Sequence, residues 1–148
     1  MSEHGFELIG EISNETGIAL YVASHQWQRL MRDRLQTLGI TLIQLLLLNA
    51  IAALENSKVR SNQINISTYA GCDKMMASKV LRDLAKQKLI RRKKLNSDAR
   101  AIGLSMTEAG IEVLRAALPI YKQANESFFD KMRKESKWRE KLLKLLGE

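Results

Sequence analysis

Cysteine and histidine are scarce: the 148 residues include one cysteine, Cys72, and two histidines. One thiol cannot close an internal disulfide, and with two histidines it leaves a Cys/His zinc site short of ligands. No metal and no cofactor is expected, and the composition suits a reducing cytosol. A Gly-rich phosphate loop and a convincing Ser/His/Asp set are also missing, so an enzyme is the least supported class. The longest apolar tract, Ile40 to Leu54, has 15 residues and is broken by Gln44 and Asn49, whereas a membrane span needs about 20. The opening residues Met1, Ser2, Glu3 and His4 have neither the basic start nor the apolar stretch of a secretory signal. A soluble, cytoplasmic protein without a membrane partner is expected.

What is abundant is positive charge, and it is unevenly placed. The chain has 24 Lys plus Arg against 16 Asp plus Glu, a formal net charge of +8. Between Lys74 and Arg100 stand ten cations and only two anions, Asp83 and Asp98, so this segment carries the whole excess and the remainder is neutral. Cations gathered in this way suit a polyanion, because each Lys or Arg set against a phosphate releases condensed counterions. The plain alternative is a solvated face. With 45% apolar residues the chain can bury roughly two-thirds of its unfolded surface, enough for one domain without staples.

Apolar spacing organises the chain into helices. Ile12 to Leu38 reads as a long amphipathic helix with Trp27, Leu30, Met31, Leu35 and Leu38 on one stripe, ended by Gly39. Thr41 and Gln44 form a capping box for a second helix to about Leu54, apolar almost all round and so central to the core. A few extended residues near Val59 lead to a short third helix, Gln63 to Ala70, capped by Asn62. Gly71 and Cys72 turn the chain, and Asp73 caps a fourth helix from Lys74 to about Lys88 that buries Ala77, Val80, Leu81 and Leu84. Two short helices joined by a Gly-containing turn make a helix-turn-helix.

After Leu89 the period changes to that of strands, Ile90 to Leu95 and Ala101 to Ser105, around a turn from Asn96 to Arg100. A fifth helix begins after the cap Thr107, with Pro119 expected to kink it if it reaches Phe129, and a sixth spans Asp130 to Leu146. The predicted fold is mainly α with a small β-hairpin wing (α+β), a winged helix-turn-helix. Its order is two helices, a short strand, two helices, two strands, two helices.

These residues resemble the MarR family of bacterial transcriptional regulators. The family's recognition helix runs into a Leu-x-x-x-Gly-Leu-Ile/Val-x-Arg segment, matched here by Leu84, Leu89, Ile90 and Arg92. Its Asp-x-Arg wing tip is matched by Asp98 and Arg100, and its closing Thr-x-x-Gly by Thr107 and Gly110. Upstream, Leu38, Gly39, Ile40, Thr41 and Gln44 are similar to its Leu-Gly-Leu-Thr-x-x-Gln, so the likeness runs from about residue 38 to 110. Two positions depart: Lys88 stands where the family usually has Gly, and Met106 where it usually has Leu. The first costs a favoured helix ending and the second conserves apolar volume.

A single MarR-like domain is expected over 1–148, with a DNA-binding lobe over 38–106 and a helical dimerisation lobe over 1–37 and 107–148. In a helix-turn-helix the second helix enters the major groove, so Lys74, Met75, Met76, Ser78, Lys79 and Arg82 are its candidate contacts. Lys79 and Arg82 suit guanine or phosphate, and Met75 or Met76 suits thymine methyls unless it fills core. Gln63 is placed to reach a phosphate. On the hairpin, alternation lets about two of the four cations from Arg91 to Lys94 face DNA; Arg92, Lys94 and Ser97 complete the wing set. The resemblance implies that Arg100 enters a narrow A·T-rich minor groove and that Asp98 orients it, against the plainer reading of a turn salt bridge.

The resemblance also implies a homodimeric repressor on inverted-repeat, double-stranded DNA, in many relatives released by a small aromatic effector. Tyr21 and His25, four apart on the first helix, are candidates to line the effector crevice, or are simply structural. Cys72 suits a small buried apolar role better than redox sensing. The competing functional reading is an architectural or protein-interaction winged helix that binds nucleic acid without regard to sequence. A third class, membrane-surface binding through the basic helix Lys131 to Leu146 with its Trp138, is testable with acidic vesicles.

Overall fold

The second helix organises the core, as its composition predicts. In the computed structural model, which describes residues 15–57, 59–94, 102–132 and 135–148, a capping box opens this helix. Gln44 N–H donates to Thr41 Oγ1 at 3.2 Å, and Thr41 N–H to Gln44 Oε1 at 2.9 Å. The helix α1 spans Thr16–Leu35 and is followed by a 3-10 turn, Gln36–Leu38; α2 spans Leu42–Glu55. Gly39 breaks the chain between them at φ 67°, a left-handed conformation that a Cβ would strain. On α2, Leu45, Leu47, Leu48, Ala50, Ile51 and Leu54 are buried, so it makes contact on most sides.

Two short helices cross it. The helix α3, Gln63–Tyr69, is capped by Asn62, whose Oδ1 accepts from Asn65 N–H at 2.9 Å. After a turn at Gly71, α4, Lys74–Lys86, is capped by Asp73, whose Oδ1 accepts from Met75 and Met76 N–H at 2.9 and 3.0 Å. The C-terminus of α4 closes as a Schellman motif, with Leu89 N–H bonded to Leu84 O and Lys88 N–H to Ala85 O, both at 3.0 Å. That motif puts Lys88 at φ 59°, where glycine is the usual occupant. A left-handed conformation costs an L-residue about 1–2 kcal/mol, offset in part by the greater freedom of an unfolded glycine. Lys88→Gly should therefore raise unfolding free energy by about 0.5–1 kcal/mol, read as a higher denaturant midpoint with an unchanged slope.

The hairpin pairs β1, Ile90–Lys94, with β2, Ile102–Met106, in antiparallel register from Ile90 opposite Met106 to Lys94 opposite Ile102. The strand expected near Val59 shrinks to one bridge, Asn62 to Gly103, supported by Leu104 N–H on Ser61 O at 2.7 Å. It cannot lengthen, because Asn62 is already committed as the cap of α3. Among the described residues the sheet therefore has two strands.

The helix α5, Glu108–Phe129, starts on Thr107, whose Oγ1 accepts from Gly110 N–H at 3.0 Å. It continues through Pro119 to Phe129. Pro119 and Arg115, whose carbonyl loses its intrahelical donor, are both exposed. The sixth helix is shorter than expected. Met132 N–H bonds Phe129 O at 2.8 Å in a turn, and α6 spans Glu135–Leu145. The terminal helices are tied by Trp27 Nε1, which donates to Asn125 Oδ1 at 3.1 Å while its ring meets Tyr121 edge-on. Among the described residues no single helix is long and apolar enough to cross a membrane.

Candidate nucleic-acid interface

The exposed face of α4 follows from its spacing. Met75, Lys79, Arg82 and Lys86 recur at steps of four, three and four, which stacks them on one stripe, and all four are exposed. The opposite stripe, Ala77, Leu81 and Leu84, is buried against α2 and α3, while Val80, expected with them, is only half-buried at its edge. Met75 is 82% exposed at the N-terminal end of the stripe, followed by three cations. A large apolar side chain held this openly gains nothing from burial within the fold and is available to an apolar partner such as a thymine methyl.

The six positions expected on this helix do not all share that stripe. Lys74, Met75, Met76, Lys79 and Arg82 are exposed, whereas Ser78 is half-buried between the two stripes. Met76 lies on the flank and lines a crevice shared with α1 and α2. Lys86, outside the six, joins the stripe through the same 4-3-4 spacing and is exposed. Gln63, the first residue of α3, is half-buried.

On the hairpin, register separates the cations by face. Arg92 lies opposite Leu104 and Lys94 opposite Ile102, while Arg91 lies opposite Ser105 and Lys93 opposite Gly103. Directly paired residues point to the same side of a ribbon, so the four form two pairs, all exposed. Ser97, Asp98 and Arg100 lie outside the described residues.

The crevice beside α4 has a volume of about 710 Å³. Trp27 and Arg32 of α1, Leu46 of α2, and Cys72, Asp73 and Met76 at the start of α4 are among its walls. It thus touches both the tie between terminal helices and the cap of the exposed cationic helix. Tyr21 and His25 are not among its walls. They pair with each other instead: His25 Nδ1 donates to Tyr21 O at 2.9 Å, and the rings lie 4.1 Å apart at a tilt. Burial pushes the Cys72 thiol up from its ordinary pKa, and its Sγ donates to Ala70 O at 3.4 Å. Both effects hold it as the unreactive thiol.

The chain is 32% identical over 130 residues, 88% of each chain, to the HTH-type transcriptional regulator YdcH of Bacillus subtilis. Its fold is similar to that of a mutant MarR of E. coli complexed with operator DNA, with a TM-score of 0.78 and 18% identity over 93% of this chain and 99% of that one. The S. aureus MepR–DNA complex aligns with a TM-score of 0.74 and 22% identity, over 89% and 94% of the two chains. Bordetella bronchiseptica BpsR, whose DNA binding is regulated by 6-hydroxynicotinic acid, aligns with a TM-score of 0.76 and 17% identity over 93% and 96%. No protein-family model matches the chain.

Proposed function

The chain belongs to the MarR family of winged helix-turn-helix transcriptional regulators and is a DNA-binding regulator; from that premise we propose that it acts in the cytoplasm as a homodimeric repressor on an inverted-repeat operator. The observation that carries this reading is the exposed stripe of Met75, Lys79, Arg82 and Lys86 next to a cationic hairpin in an otherwise neutral chain. The stripe enters the major groove, where Lys79 and Arg82 meet guanine or phosphate and Met75 meets a thymine methyl. Arg100 takes the adjacent minor groove, with Asp98 orienting it.

Dimerisation uses the terminal helices, which supports half-sites about 10 bp apart. Supporting this, α6 leaves Trp138, Leu142 and Leu145 exposed, and α1 and α5 leave Leu20 and Ile111 exposed. Apolar side chains gathered on such helices are most simply explained by a partner. The effector is a small aromatic acid in the crevice beside α4, its carboxylate on Arg32 and its ring against Trp27 and Leu46. Occupancy there alters the seat of α4 and releases the operator.

Titrating operator and scrambled duplexes at several salt concentrations tests the reading. A preference of at least about 10³ for the operator is expected. Equal affinity for both would instead support the architectural, sequence-indifferent alternative. Arg100→Ala should weaken operator binding by about tenfold, the loss of one good groove contact, while the dimer stays intact in sedimentation.

A further inference from the structure

The hairpin hangs from the helix-turn-helix by its outer edge. The edge N–H groups of β2 point away from β1, and two of them have acceptors from the α2–α3 segment. Leu104 N–H donates to Ser61 O at 2.7 Å, and Met106 N–H donates to Glu55 Oε1 at 3.2 Å. The first acceptor is backbone next to the cap of α3. The second is a side chain, which makes it the mutable part of the joint.

Glu55 is the last residue of α2, and no basic residue stands in that last turn. A carboxylate there faces the negative end of the helix dipole, the opposite of what helix chemistry favours. Such a local conflict is typical where a tertiary or functional demand has overridden propensity. The tertiary demand here is the Met106 N–H, at the root of a hairpin whose four described cations, Arg91 to Lys94, are all exposed.

We propose that Glu55 is a positioning residue for DNA binding: its carboxylate, bonded to Met106 N–H, sets the angle at which the hairpin meets the duplex. This rests on the wing contact proposed above. Without the acceptor β2 keeps its pairing with β1, its Leu104 bond to Ser61 and its buried side chains, but its root loses the bond that fixes it to the end of α2, so the ribbon tilts about the remaining Ser61–Leu104 bond. The recognition helix, seated by its own buried stripe, is unaffected. The loss therefore falls on one part of the footprint.

The test compares Glu55→Gln, which keeps an acceptor at the same reach, with Glu55→Asp and Glu55→Ala, which withdraw it. Hydroxyl-radical footprints and affinities on one selected operator duplex are the readouts, with Arg100→Ala as the reference for loss of wing contact. Aspartate and alanine variants are expected to lose protection at the flanks but not in the central major-groove steps, with affinity lowered about tenfold, the scale of one charge-assisted hydrogen bond. The glutamine variant should keep the wild-type footprint. Aspartate keeps the charge and the helix, so the comparison survives even if the alanine variant fails to fold.

Wild-type flank protection in Glu55→Asp, while Arg100→Ala loses it, overturns the positioning role and leaves the wing contact standing. A uniform weakening of the whole footprint, or equal loss in Glu55→Gln, overturns it also, since either points to general destabilisation or to charge. If Arg100→Ala itself leaves the flanks protected, the wing contact fails and the positioning role with it.

Discussion

Gly110→Ala is expected to destabilise the folded chain by about 3 kcal/mol or more, beyond the usual range for one added methyl. A Cβ on Gly110 would overlap the carbonyl oxygen of Leu89 and come within 3.0 Å of its carbonyl carbon and 3.3 Å of Met106 Cε. The methionine end can move; the carbonyl cannot. Leu89 O accepts Thr107 N–H at 3.1 Å, and Leu89 N–H closes the Schellman motif of α4 on Leu84 O. Thr107 Oγ1 also donates to Lys88 O at 2.7 Å while accepting from Gly110 N–H. The first turn of α5 is thus bonded directly to the joint between α4 and β1, and only a residue without Cβ allows that approach. Alanine's better helix propensity returns about 1 kcal/mol, too little to reverse the sign. Urea unfolding measures the change, and a loss below about 1 kcal/mol would show that the close approach is not required. Because the same joint seats the cationic helix and the hairpin, any folded remainder should also bind operator poorly.

The double variant Lys79→Ala, Arg82→Ala should lose about 10²- to 10³-fold in operator affinity with little change in stability. Each side chain is exposed and on the α4 stripe, so truncation leaves no cavity and stability should stay within about 0.5 kcal/mol. Each good contact to a base edge discriminates by about 1–3 kcal/mol, and a phosphate contact contributes about one unit of salt slope. The single variants separate the roles. A residue on phosphate weakens binding to all sequences and flattens the salt dependence; a residue on guanine relaxes preference at one base pair. Lys86→Ala, nearer the C-terminus of α4, should behave as a phosphate contact. Anisotropy titrations at several salt concentrations provide the measurement, and a double variant within threefold of wild type at every one would remove this face of α4 from the interface.

The caps are legible in the sequence because their chemistry is local. Thr41 with Gln44, Asn62, Asp73 and Thr107 each satisfy N–H groups two or three residues ahead, so residue type and offset are sufficient. The buried stripe of α4 was readable for a similar reason, a 3.6-residue period across one helix. Even there, spacing could not tell which flank meets solvent. Met75 and Met76 look equivalent in sequence, yet Met75 is 82% exposed and Met76, at 53%, also lines the crevice that α4 shares with α1 and α2. Tyr21 and His25 were adjacent on α1 as spaced, but the crevice opens on the side of Trp27 and Arg32.

Short-range order in this chain thus follows from residues within a turn or two of one another: where helices begin, which stripe is apolar, and where the period changes to a hairpin. Contacts between residues far apart along the chain settled what no local pattern encodes. They reduced an expected strand to one bridge at Asn62, demanded hydrogen in place of a methyl at Gly110, and turned a carboxylate, Glu55, toward the root of the hairpin. The physical reason is range: hydrogen bonds along one helix depend on offset alone, whereas close approach and edge pairing depend on how separate elements are stacked.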